Sequence, residues 1–301
     1  MPDPFAQLKV AVVGHVEFVE FLEVAHVPAA GEIVHARRSF TEPAGGGAVA
    51  AVQLARLAGG ATLFTAFGDD EVGRRSAAGL ERLGVRVRAA WRREPQRRAV
   101  TFVDDGGERT ITVIGDRLAP AGTDVLPWEE LSECDAVYVT AGDPDALRAA
   151  RRARVLVATP RVGPALARSG VELDALVHSG GDPGEPYAPG DLDPEPRLVV
   201  GTRGVAGGSY TAVAGPGGTW QAAPLPGPVV DTYGAGDSFA AGLTLGLGAG
   251  LEVDAALALA ARCSAACVTG AGPYGAPLDA RAILRPQGGE DHVEGEREAG
   301  E

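Results

Sequence analysis

From residue 136 onward the chain alternates short apolar runs with helix-patterned segments, and this alternation constrains the fold more than any other feature. Ala136–Val139, Val155–Ala158, Ala175–His178 and Leu198–Gly201 each read as a buried strand. The helix between the first two is predicted to start at Asp143 as cap, with Pro144 at its first position, where a missing N–H is not needed. Strands joined through helices run parallel, with helices covering both faces of the sheet. Leu8–Gly14 adds a strand ending in a glycine turn, and Ala61–Phe67 adds another. Gly45-Gly46-Gly47 leads into an alanine-rich helix over Ala48–Ala58. A second helix runs from the Gly68–Gly73 turn to Leu83, with Asp69 and Asp70 as capping candidates. Val253–Val268 reads as a further helix, and the proline-rich Asp182–Pro196 as a loop.

Other strand signals do not fit this rhythm. Glu32–Arg37 alternates as a half-exposed strand does, while Val85–Trp91 and Arg98–Val103 flank the cluster Arg92, Arg93, Arg97 and Arg98, read as a solvated face. Asp104-Asp105-Gly106-Gly107 is a hairpin turn leading to the strand Arg109–Ile114.

Composition narrows the function classes. With 301 residues, 45% of them apolar, the chain can bury a large core in one α/β domain or two small ones. A net charge of −13 leaves no basic excess to displace the counterions of a nucleic acid. Residues 287–301 hold six acids and one arginine and are expected to be a disordered tail. Lys9 is the only lysine, which excludes a Gly-Lys-Ser/Thr phosphate loop, and the chain has no asparagine. Cys134, Cys263 and Cys267 give no disulfide framework and read as small buried hydrophobes. No apolar run reaches membrane-spanning length and no signal pattern opens the chain, so a cytoplasmic location is expected.

The chemistry concentrates in Val230–Leu247. Pro228-Val229-Val230 is read as the end of a buried strand. Gly234-Ala235-Gly236 is a tight small-residue turn, and an apolar helix follows with Phe239, Leu243 and Leu247 on one face. Such a turn aims backbone N–H groups into one small space at a helix N-terminus, an arrangement that suits a phosphate. Asp237, beside it, can cap the helix or take a proton from an attacking hydroxyl.

Asp231-Thr232-Tyr233-Gly234-Ala235-Gly236-Asp237 resembles the DTxGAGD signature of the PfkB, or ribokinase-like, carbohydrate kinases. The resemblance implies a three-layer αβα sandwich with a mostly parallel sheet and a small β lid. It extends over residues 1–286, with lid segments at about 15–40 and 85–115. It implies Gly234, Ala235 and Gly236 as the anion hole and Asp237 as the catalytic base. On the acceptor side it implies Gly45, Gly46 and Gly47 against the sugar, Glu17 (with Glu20) near the family's sugar-binding acid, and Arg109 reaching in from the lid. On the donor side it implies Thr202, Gly204 and Gly207 near the nucleotide, with Gly270, Ala271 and Gly272 closing over adenine. ATP and Mg²⁺ are the implied cofactors, with a monovalent cation such as K⁺ at Asp231. The family's Asn-x-x-Glu motif corresponds to Ser179-Gly180-Gly181-Asp182, which leaves Asp182 or Glu185 as the acid on the metal side.

The implied activity is phosphotransfer from ATP to a hydroxyl of a small sugar or polyol, with a homodimer through the lid as the implied assembly. A nucleoside kinase, or a non-catalytic sugar- or nucleotide-binding protein on the same fold, are the alternatives. A dinucleotide oxidoreductase is disfavoured, because Gly14 is not followed by G-x-G-x-x-G spacing.

Overall fold

The computed structural model describes residues 5–284, so the expected acidic tail 287–301 lies outside the described residues. In chain order, β1 (Val10–Val13), β2 (Glu17–Glu23) and β3 (Arg38–Ala44) precede α1 (Gly46–Ala58). β4 (Ala61–Gly68), α2 (Glu71–Arg82) and β5 (Val85–Arg92) follow, then the hairpin β6 (Arg98–Val103) and β7 (Arg109–Ile114). Next come β8 (Ala136–Val139), α3 (Pro144–Ala150), β9 (Val155–Ala158), α4 (Gly163–Ser169), β10 (Ala175–Ser179) and β11 (Leu198–Thr202). The chain then forms β12 (Gly208–Ala212), β13 (Gly218–Trp220), α5 (Ala235–Gly248), α6 (Val253–Cys267) and α7 (Ala280–Leu284).

Among the described residues, nine strands form one sheet in the order β13-β12-β11-β10-β9-β8-β1-β4-β5. Its pairs are parallel except those made by β12 and β13, as the βαβ rhythm requires. Period-two alternation sorts the side chains to the two faces: Val10 and Val12 of β1 join the layer containing α1, α5 and α6, while Ala11 and Val13 join the layer of α3 and α4. The first layer is sealed by small residues, since a methyl group on Gly242 or Gly246 would stand 2.8 or 2.9 Å from the Cα of Ala260 or Ala256 on α6. The predicted helix starts hold: Asp70 accepts from the Gly73 amide and Asp143 from the Ala146 amide. No described helix is long and apolar enough to cross a membrane.

The remaining four strands form a second sheet, β3-β2-β6-β7, at one end of the first. Three expectations are corrected here. Val85–Trp91 pairs with β4 in the large sheet, so it does not belong to the lid. Glu32–Arg37 forms no strand: both neighbours of β2 are already taken, by β3 and β6, and Ile33 stays exposed. Pro228–Val230 is also outside any strand. The Val230 amide bonds Val268 O and the Thr232 amide bonds Gly107 O, so this segment runs against the β6–β7 hairpin tip with Val229 and Val230 exposed.

Candidate active site

Parallel strands end on one side of a sheet, and the residues just past those ends face a common space. Past β1 stand His15 and Glu17, past β8 Thr140, past β9 Arg161, within the loop after β10 Glu185, and at the end of β11 Thr202. The small sheet meets this space along its base. Its register sets Phe18 beside Arg98, and Arg98 beside Ile114, so Glu17, Arg97 and Gly115 form the adjoining row where the chain passes between the two sheets.

The turn before α5 delivers Asp237 into the same space. Gly234 holds φ +81, a left-handed conformation that swings the chain into the helix. The first helical bond runs from the Ser238 amide to Gly234 O, and no side chain caps the helix. The amides of Ala235, Gly236 and Asp237 thus precede the intrahelical ladder and are available to an anion. A methyl group added to Gly236 would meet nothing within 4 Å. The Asp237 carboxylate lies across from α1: a methyl group on Gly46 would stand 2.7 Å from its Oδ1. Burial raises its pKa to about 6, with the Glu185 charge adding to the shift and Arg161 and Arg109 opposing it.

Glu17, expected on the acceptor side, is buried, and Arg97 Nε contacts its Oε1 at 2.8 Å. The sequence reading put Arg97 on a solvated face; the base row turns it inward. Arg92 is also engaged, by a two-pronged pair with Asp124. His15 lies 3.7 Å from Glu17 and is buried, and its pKa is pushed well down, first by burial and then by Arg117, Arg97 and Arg161. Among the described residues His15 Nδ1 and Thr140 Oγ1 are buried without a hydrogen-bond partner, and both residues adjoin the glycines of Gly45-Gly46. Sequence reasoning missed His15, Thr140 and Arg161, although each sits within three residues of the end of a predicted buried strand. Arg117 carried no such signal.

The three glycines differ in what they require. Gly45 has φ +84, Gly46 faces Asp237, and Gly47 would press a methyl group onto His15 O and the Gly14 backbone. Tyr233 OH accepts from the Gly45 amide at 3.2 Å, and its ring meets Phe21 of β2 edge-on. Tyr233→Phe leaves that amide unpaired, a loss of about 1–3 kcal/mol. Thermal melting should show a drop of several degrees, with the acceptor KM raised.

The residues expected at the nucleotide lie at the end of β11, in the turn before β12 and in the loop after α6. Thr202 Oγ1 donates to His178 O, and Gly204 and Gly207 shape the turn into β12 with positive φ. Gly270, Ala271 and Gly272 form a tight loop after α6, tied down by the Gly272 amide bonding Asp231 Oδ2. Asp231 also accepts from the Tyr233 amide, is buried, and has its pKa raised by that burial. Arg109 sits on exposed β7 and donates to Thr232 Oγ1. Glu185 accepts from the Ser179 amide and from Arg161 Nε, while Asp182, more exposed, pairs with Arg161 Nη2. Of the two acids, Glu185 is the one whose charge reaches Asp237 most strongly. Among the described residues, no three His, Cys, Asp or Glu side chains cluster as a metal cage.

The model of the pfkB family carbohydrate kinases matches residues 7–160 and 189–281. An ATP-dependent ribose-1-phosphate kinase of Halopiger xanaduensis is 30% identical over 292 residues, spanning 90% of this chain and 95% of that protein. The ribokinase of Thermotoga maritima superposes with a TM-score of 0.72 at 21% identity, over 92% of this chain and 98% of that one. The Arabidopsis thaliana ribokinase, solved with ribose and ATP, gives 0.71 at 22% identity, over 92% and 97%. At these identities the two structures establish the ribokinase-like fold, and the family match covers both the β1–β9 half and the DTxGAGD turn. The chain belongs to the pfkB family of carbohydrate kinases and is a sugar kinase.

Proposed function

We propose that this protein transfers the γ-phosphoryl group of ATP to a hydroxyl of a small sugar, with Asp237 as the base. The observation that carries the reading is the carboxylate of Asp237 standing between Gly46 and three amides not used by helix bonding. The sugar hydroxyl loses its proton to Asp237 while its oxygen forms a bond to the γ-phosphorus. The bridging P–O bond to the β-phosphate breaks, and ADP leaves with that electron pair. The amides of Ala235, Gly236 and Asp237 stabilise charge on the transferred group, a contribution of about 3 kcal/mol for a well-placed donor. His15, Thr140 and the Gly45-Gly46 backbone hold sugar hydroxyls, which supply the partners their buried polar atoms lack. Thr202, Gly204, Gly207 and the Gly270–Gly272 loop line the nucleotide side. The small sheet acts as a lid that excludes water.

Asp182 and Glu185 offer the hard oxygens Mg²⁺ prefers, and would hold it through its waters next to the phosphates, where the ion offsets their charge. Among the described residues Asp231 is buried with no ion pair, and Glu42, whose Oε2 is buried and unpartnered, has its carboxyl raised to about 7 by burial, with Arg38 opposing and Asp231 adding. Two such carboxylates suit a monovalent cation such as K⁺. We further propose a homodimer through the lid, whose edge strand β7 exposes Ile111, Val113 and Ile114, and a cytoplasmic location, where Cys134, Cys263 and Cys267 stay free.

An ATP-coupled assay against ribose 1-phosphate, ribose, fructose and adenosine tests the reading; ribose 1-phosphate comes first because the Halopiger relative is named for it. Phosphorylation of none of them, or no dependence on Asp237, overturns it. The pH profile adds a check. Asp237 must be ionised to accept the proton, and its pKa is about 6. kcat/KM should therefore fall roughly tenfold per pH unit below about 6 and level off above it. A profile flat down to pH 5 would remove Asp237 from the proton-transfer step.

A further inference from the structure

We infer that Arg97, Arg117 and Arg161 form an anion subsite at the acceptor end of the cleft, and that the acceptor sugar already carries a phosphate ester there. The inference rests on the kinase reading above and names its substrate class. The three arginines come from three elements and their charges act on one another: Arg97 leads into β6, Arg117 follows β7, and Arg161 follows β9. In the base row Gly115 lies opposite Arg97, with a methyl group on it 3.9 Å from the Arg97 Cα, and Arg117 is two residues further on.

The charges of this group do not balance. Arg97 is answered by Glu17, and Arg161 by Glu185 and Asp182. Half-buried Arg117 makes no hydrogen bond or ion pair among the described residues, and the charges of Arg97 and Arg161 depress its pKa after burial does. Glu17 is the carboxylate whose charge acts on it, and Arg97 already holds that carboxylate. A chain of net charge −13 keeps three arginines whose charges act on one another, with Arg117 in no ion pair among the described residues. Like charges held together at the edge of a low-dielectric site repel one another, so the arrangement is favourable when an anion joins them. The ligand of such a group is better a phosphate than a carboxylate. A carboxylate saturates on one guanidinium fork, whereas the three terminal oxygens of a phosphate ester can be shared among several.

The position assigns this anion to the acceptor rather than to ATP. Arg97 and Arg117 stand at the base of the small sheet beside Glu17 and Gly45, while the donor residues lie along β11 and the loop after α6. A sugar phosphate bound here places its ester among the arginines and a free hydroxyl toward Asp237.

The test compares kcat/KM for ribose 1-phosphate, ribose and gluconate in the native protein, Arg117→Gln and Arg117→Lys. The native protein should prefer ribose 1-phosphate over ribose by at least about a hundredfold. Arg117→Gln should shrink that preference about fifty-fold and Arg117→Lys should restore part of it. Inorganic phosphate should compete with the acceptor and not with ATP. A native enzyme that uses ribose or gluconate as well as ribose 1-phosphate overturns the subsite, and so does an Arg117→Gln variant that lowers both substrates equally. If no acceptor is phosphorylated, calorimetric binding separates the two ideas. Ribose 1-phosphate binding that Arg117→Gln weakens keeps the subsite while the kinase reading falls; no binding sinks both.

Discussion

Asp237→Asn is expected to lower kcat by about a thousandfold while leaving ATP affinity near its native value. Asparagine is isosteric with aspartate, so the first turn of α5 and its free amides keep their geometry. What is lost is the ability to take up a proton, and general-base assistance is worth about 10²–10⁴ in rate. The loss should be in kcat rather than in the acceptor KM, because the hydroxyl is bound in the ground state and deprotonated only as the new bond forms. Stability should move the other way. Burial raises the pKa of Asp237 to about 6, which means that its ionised form is disfavoured by folding. At neutral pH the native side chain is mostly ionised, so a neutral amide removes that cost and the melting temperature should hold or rise. A variant that is inactive and also much less stable would indicate a structural role for the carboxylate; one that phosphorylates sugar undiminished would exclude it as the base.

How much of this could be read without coordinates depended on whether the signal was local. β8, β9, β10 and β11 are short apolar runs, each bounded by turn residues, and their parallel pairing follows from the helices between them. Asp70 and Asp143 are caps because capping needs only a few consecutive residues. The turn 234–237 was legible for the same reason: its glycine turn, its three free amides and its acid fall within four consecutive residues. The second sheet was harder to bound, because strand identity there is decided by partners far along the chain. Glu32–Arg37 has the alternation and forms no strand, while β3 has a proline in it and pairs all the same. The arginine group shows the limit most clearly. Arg97 looked like one of four in a solvated cluster, and only the register of β2, β6 and β7 turns it toward Glu17 and brings Arg117 alongside.

The glycine run before α1 was legible as a motif, but its reason was not, and this yields the second large expected effect. Gly46→Ala should cut kcat/KM for the acceptor by about a hundredfold or more with little change in melting temperature. The backbone of Gly46 is ordinary helix start with no positive φ, and alanine is favoured over glycine in a helix by about 0.5–1 kcal/mol. The added methyl group, however, would stand 2.7 Å from Asp237 Oδ1, closer than carbon and oxygen can approach without a shift. The base has to move, and misplacement of a reacting group by about 1 Å is enough for a hundredfold loss. The neighbouring positions give the control. Gly47→Ala meets the fixed backbone of Gly14 and His15, and Gly45→Ala is strained at φ +84, so both should lose stability first. Measured side by side, only Gly46→Ala should separate activity from folding. If it instead melts as low as Gly47→Ala, or phosphorylates sugar at the native rate, the carboxylate of Asp237 does not work from the position that faces Gly46.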